Sequence, residues 1–196
     1  MSAYYCGNGT LILSSSIFSE CVTEAFSDGI RLLRSSNPQA PKYPHDIGLN
    51  ACEIGRFIIC RRQYTDFQII EHAEKQGKSI INANQGYAKC SVCILDERHI
   101  ITADSSIAKA VRHCGIDALC IEPGFFRLPG YDFGFIGGSC FKIDRDTIAF
   151  TGNLCGHPNE AQILDYIHSI GLKTIFLTDE PCLDVGSIIP ISEDIN

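Results

Sequence analysis

One order of events recurs along the chain: strand, polar turn, second strand, amphipathic helix, glycine stop, third strand. The copy from about 88 to 122 is the plainest. An apolar strand over 89–95 meets the turn Asp96-Glu97-Arg98, and a second strand follows over 99–103. Ile107, Ala108, Val111 and Cys114 then share one face of a helix over 105–114. Asp104 or Ser105 is placed to cap it, and Gly115 stops it before a strand over 118–121. The next copy, about 133–178, has strands over 135–143 and 147–150, a helix over 159–170 and a strand over 174–177. The preceding copy, about 47–82, has strands over 49–53 and 57–60, a helix over 66–75 and a strand over 79–81. The ends read as one split copy. Residues 183–192 look like a first strand, and residues 8–34 like its continuation through a helix over 19–33. Pairing of the N- and C-terminal strands would then close the set and protect the sheet edges. An α/β domain spanning 1–196 is expected, with residues 35–45 as a connector carrying three prolines. An open α/β sheet with similar units is the alternative.

Bulk properties narrow the class further. The chain has 196 residues, 45% of them apolar, which suits one core. No stretch approaches the roughly 18–20 apolar residues of a membrane span, and no signal peptide is evident, so a cytoplasmic protein is expected. The formal charge is −7, and the only local basic groups are Arg31/Arg34 and Arg61-Arg62. Neither nucleic acid nor membrane is therefore an expected partner. There are 11 cysteines, an odd number that fits buried free thiols better than a disulfide framework. Cys90-x-x-Cys93 has no second pair or histidine spacing to complete a zinc site, and no metal or cofactor is expected.

The pattern resembles the pentein fold, the α/β propeller of repeated ββαβ units found in guanidino-group-modifying enzymes. About four repeats fit this length better than five. More closely, residues 43–191 resemble an uncharacterised bacterial family assigned to that fold. The runs that carry this are Tyr43-Pro44-His45-Asp46-Ile47, Gln85-Gly86-Tyr87-Ala88-Lys89-Cys90-Ser91, Tyr131 through Ser139, Gly152-Asn153-Leu154 with His157-Pro158, and Asp184-Val185-Gly186-Ser187. The resemblance implies a cysteine nucleophile, a histidine acid/base and carboxylates gripping a guanidinium. Here the acidic-Gly-Gly-Asp signature of the enzymes reads Ile136-Gly137-Gly138-Ser139. Their His-x-Asp signature reads Cys182-Leu183-Asp184. The strand that would carry their nucleophile is expected to be missing, and 192–196 contain no cysteine.

Strand ends and the loops after them converge in such a ring, which makes His45, Asp46, Asn50, Lys89, Ser91, Asp104, Ser139, Asn153, His157 and Asp184 the candidate ligand-binding residues. Asp104 and Asn153 also suit helix caps, and Gly137-Gly138 also suits close packing. Cys182, Cys140 and His157 are the alternative catalytic groups, with no spacing that establishes a dyad. His72, His99, His113 and His168 read as surface positions. Three functions stay open, with the balance against an enzyme. One is a relative of the guanidino enzymes holding a small polar or cationic ligand with Asp46, Asp104 and Asp184. The others are a non-catalytic interaction protein and a homo-oligomeric scaffold.

Overall fold

A computed structural model describes residues 1–26 and 29–190. The chain groups into two compact units, Met1–Tyr87 with the residues from Ile189, and Ala88–Ile188.

The first unit holds two repeats. β1 (Ala3–Tyr5), β2 (Thr10–Leu13), α1 (Glu20–Ala25) and β3 (Arg31–Arg34) form the first. β4 (Cys52–Ile54), β5 (Phe57–Cys60), α2 (Phe67–Lys75) and β6 (Ser79–Asn82) form the second. The second unit holds two more. α3 (Ala88–Ser91), β7 (Val92–Ile94), β8 (His99–Thr102), α4 (Ser105–Arg112) and β9 (Asp117–Cys120) make the third repeat. A 3₁₀ turn (Ile136–Gly138), β10 (Cys140–Lys142), β11 (Thr147–Phe150), α5 (Glu160–Ser169) and β12 (Lys173–Phe176) make the fourth. Each repeat is one three-stranded mixed sheet. Its first two strands are antiparallel, and its second and third are parallel across the helix, as a crossover connection requires.

The registers align the four sheets residue by residue. Tyr4–Ile12–Leu33, Cys52–Ile59–Ile81, Cys93–Ile101–Leu119 and Phe141–Ala149–Ile175 are the same cross-strand row in successive repeats. In the second unit the row of repeat 3 packs with Ile163 and Ile167 of α5 and with Ile148 and Phe150 of β11. In the first unit the row of repeat 1 packs with Ile69 and Ala73 of α2 and with Ile58 and Cys60 of β5. Within each unit the sheet face of the first repeat is thus covered by the helix of the second. Each fully buried Ile or Leu in such a layer stabilises the fold by about 1.5–3 kcal/mol.

Three expectations are corrected. The N-terminal repeat is not completed by 183–192: Ala3–Tyr5 is its first strand, with Tyr4 opposite Ile12. Gly7, Asn8 and Gly9, all at positive φ, turn the chain back within three residues, so a very short strand suffices. Residues 185–190 carry no strand, while 191 and 192 lie outside the described residues. The helix expected over 19–33 ends at Ala25, and Arg31–Arg34 is a strand, with Gly29 at φ +86° between them. The strands expected from 89 and 135 begin later, after the short helical turns α3 and Ile136–Gly138. Gly137 explains this: a Cβ there would lie 2.4–2.6 Å from the carbonyl oxygens of Val92, Lys89 and Cys90. Only glycine lets these turns approach so closely.

Candidate functional site

The second unit brings one sequence candidate, Ser139, and the Gly137-Gly138 pair together with Asp184. Asp184 is buried, and its two oxygens accept from Phe135 N (Oδ2, 2.8 Å) and Gly186 N (Oδ1, 2.8 Å). Gly134 and Gly138 leave room for that carboxylate: a Cβ on Gly138 would lie 1.9 Å from Oδ1. Ser139 is fully buried and donates from Oγ to the Phe135 carbonyl at 3.0 Å. Thr151 Oγ1 donates to Leu183 O at 2.7 Å and accepts from Leu183 N at 3.0 Å. Thr151 N in turn donates to Ser139 O. Asp184, Ser139 and the Gly-Gly pair are therefore brought together in one bonded knot that ties 183–186 to 134–139.

Cys182 adjoins this knot. It is 2% exposed, packs within the second unit's apolar cluster and donates from Sγ to Gly152 O at 2.9 Å. Burial pushes its thiol up to about 11, which keeps it protonated at neutral pH. A nucleophilic thiol needs the opposite environment. Cys140, the other thiol weighed, is buried in the same cluster.

His157 stands elsewhere in the unit, its ring 4.9 Å from that of Phe125 and 5.6 Å from that of Phe126. Its Nδ1 accepts from Asn159 N at 3.0 Å, so the neutral tautomer carries its proton on Nε2. Nε2 is buried without a partner. Desolvation lowers this histidine below its ordinary value, outweighing the Glu122 backbone and the Glu160 and Glu122 charges.

The remaining candidates separate. Asp104 caps α4, its Oδ1 accepting from Ser106 N and Ile107 N. Asn153 is not a helix cap: α5 begins seven residues later behind Asn159, and Asn153 instead donates to Asp179 O and accepts from Cys155 N. Lys89 is half-buried on α3, and Ser91 is buried with its Oγ unpartnered. In the first unit His45 is exposed and Asn50 is buried. Asp46 accepts from Tyr87 Oη at 2.6 Å through Oδ2, while its Oδ1 is buried without a partner. The Tyr87 ring lies 5.9 Å from that of Tyr43.

Two features escape a reading by repeat alone. His72, expected on the surface, has a side chain only 12% exposed, with Nε2 3.6 Å from Glu53 Oε2. Glu53 also accepts from Tyr4 Oη at 2.9 Å and Lys78 Nζ at 2.6 Å. Beside this group runs a cleft of about 280 Å³ lined by Cys6, Arg31, Gln68, Glu71, His72 and Lys75 among others. Burial, with the Glu53 charge second, pushes the Cys6 thiol up to about 11. Glu53 sits at an ordinary strand position, so only the outward half of the alternation could have drawn attention to it. Of the ten cysteines described, seven are buried. Among the described residues no group of three or more His, Cys, Asp or Glu side chains is arranged to hold a metal ion.

Residues 1–189 match the family described as a family of unknown function, DUF6873. The chain belongs to that family. No curated protein matches this DUF6873 chain. Solved structures do. One is DDAH from Pseudomonas aeruginosa, a cysteine-to-serine mutant complexed with citrulline, at TM-score 0.55 and 13% identity, covering 90% of this chain and 66% of that one. Another is the C. jejuni agmatine deiminase, at TM-score 0.54 and 12% identity, covering 86% and 60%. A third is SxtG, an amidinotransferase from Microseira wollei, at TM-score 0.50 and 13% identity, covering 92% and 62%. The DUF6873 chain thus spans 60–66% of the length of these proteins. At such identities the likeness is one of fold, and the fold is the pentein fold with about four repeats.

Proposed function

We propose that this DUF6873 protein is a pentein-fold module that acts by binding rather than by guanidino chemistry. One observation carries the reading: the groups at the positions that resemble the enzymes' signatures are spent on internal bonds. Cys182 is buried, protonated and bonded to Gly152 O. Ser139 bonds to Phe135 O, and both oxygens of Asp184 accept backbone amides. A carboxylate whose two oxygens already accept from backbone amides and a thiol held protonated are poorly placed to grip and attack a guanidinium carbon.

The test is turnover. The purified chain is incubated with arginine, agmatine and methylarginines, and release of ammonia or amine is followed. No release above the blank is expected. Release that disappears in Cys182→Ser would overturn the reading.

A second reading has one observation in its favour, the buried unpartnered Oδ1 of Asp46 next to the Tyr43/Tyr87 ring pair. An unsatisfied buried carboxylate oxygen beside aromatic rings suits a small cation. Asp104 and Asp184 do not join it, because each already serves backbone amides. Thermal shift by agmatine in the wild type but not in Asp46→Asn would support this reading, since binding to the folded state raises its stability by mass action.

A further inference from the structure

The two units can be compared position by position, because in each the helix of the second repeat lies on the sheet of the first. Strand register makes Thr10 the counterpart of His99, Arg31 of Asp117 and Leu33 of Leu119. Cys6 corresponds to Leu95, since the Cys6 amide donates to Thr10 O as the Leu95 amide donates to His99 O. On the helices Ala73 corresponds to Ile167, since Ala73 O accepts from Lys78 N as Ile167 O accepts from Leu172 N. His72 is then the counterpart of Tyr166, and Gln76 of Ile170.

In the second unit this layer is filled. Leu95 is fully buried, Tyr166 and Ile170 pack on the apolar cluster, and the Tyr166 ring lies 6.1 Å from that of His99. The first unit has Cys6, Thr10, His72 and Gln76 at those positions, each a smaller side chain. The cleft of about 280 Å³ opens there and is lined by all of them. Thr10, Ile12, Arg31 and Leu33 make its sheet wall, and one face of α2 makes the other. An apolar hole of this size would stay dry, whereas a hydroxyl, an amide and an imidazole line this one. Its charges leave one group over. Glu71 is paired with Lys75 at 2.9 Å. Glu53, 3.6 Å from His72, is held by Lys78 and Tyr4. Among the described residues the Arg31 guanidinium has no acidic partner. Its counterpart in the filled layer, Asp117, has the opposite charge. A guanidinium with no carboxylate of its own, on the wall of a polar cleft, favours an oxyanion, which it can hold through two parallel N–H bonds.

We infer that the cleft between the repeat-1 sheet and α2 binds a small organic oxyanion, a carboxylate or phosphate ester, which pairs with Arg31 and sets its polar body against Thr10 and Gln76. This rests on the binding-module reading and gives it a ligand class and a site distinct from Asp46 and Asp184. The layer that is closed in the second unit is open in the first because its side chains are smaller and polar, and the cation is the group that a ligand would neutralise.

Thermal unfolding of the full chain tests it, with succinate, malate, glycerol phosphate and inorganic phosphate as probes at up to about 10 mM, each against sodium chloride of equal ionic strength. At least one probe should raise the wild-type midpoint above its salt control, and whether carboxylates or phosphates do so tells which oxyanion the cleft takes. Arg31→Gln should weaken the responding probe about tenfold or more, as loss of a charge-assisted bond does. Arg34→Gln should leave the response intact, because Arg34 lies over the Phe18 ring and does not line the cleft. The double variant Cys6→Leu/Gln76→Ile gives the cleft two side chains of the filled layer. Without any probe it should unfold at a higher temperature than the wild type, and it should lose the probe response. No midpoint rise with any of the probes overturns the inference. So does an undiminished response in Arg31→Gln or in the filled variant. Should the filled variant not fold, the Arg31→Gln and Arg34→Gln pair decides. Turnover dependent on Cys182 would sink the binding reading while leaving the probe result standing.

Discussion

Cys182 and His157 are both titratable, both buried and both held in their neutral forms. Cys182→Ala removes a buried sulfur and its bond to Gly152 O, so it should cost about 1–2 kcal/mol in urea unfolding. In the native state, iodoacetamide should label the exposed Cys120 and Cys155 and spare Cys182. His157 gives a pH signature. Protonation at Nδ1 would break its bond from Asn159 N and place a charge between Phe125 and Phe126. Its folded pKa therefore lies below the unfolded value of about 6.5. The unfolded chain takes up the proton first, so this contribution is present above that pH and is lost as pH falls through the folded pKa. Unfolding midpoints at about pH 7.5 and about pH 5.5 should differ less in His157→Gln than in the wild type. An equal difference in both would place the pH dependence elsewhere. The sequence could nominate Cys182 and His157 by type and position. It could not say that one donates to a carbonyl and the other lies between two phenyl rings, because those neighbours come from segments 30 to 32 residues away.

At the scale of elements, local chemistry was largely readable. The helix spacing, the Asp104 cap and the glycine stops at Gly77, Gly115 and Gly171, all at positive φ, act within one turn of the chain. Asp104→Ala should therefore cost about 1 kcal/mol, seen as a lowered urea midpoint with an unchanged slope. The elements that differed from expectation did so for non-local reasons. Residues 89–91 and 136–138 suit strands by composition, yet they turn helically because Gly137 lies against the carbonyls of Lys89, Cys90 and Val92. Asp184 likewise fixes the course of 134–138 through Gly134 and Gly138. Gly138→Ala would drive a Cβ into that carboxylate and should cost about 3 kcal/mol or more, or prevent folding. Gly156→Ala is the control: it also strains its positive φ but meets no atom within 4 Å, and should cost less.

Across the whole molecule the repeat becomes a packing rule, and it makes equivalent residues energetically unequal. Leu95→Ala should cost about 2–5 kcal/mol, because Leu95 lies in the layer between the repeat-3 sheet and α5. Ile143→Ala, at the same position one repeat later, should stay within about 0.5 kcal/mol. Comparable losses at both would mean that something covers repeat 4. Periodicity, turn residues and stops, read from the sequence by itself, determined the ββαβ unit and its three full copies, because each copy is encoded within about 40 consecutive residues. Only the tertiary structure decided that Ala3–Tyr5 begins the first repeat, that Asp184 and Ser139 bond inward, and that the repeat-4 row lacks a helix where the equivalent rows of repeats 1 and 3 have one. Those outcomes depend on which surfaces meet, and burial is a property of the meeting rather than of either strand alone.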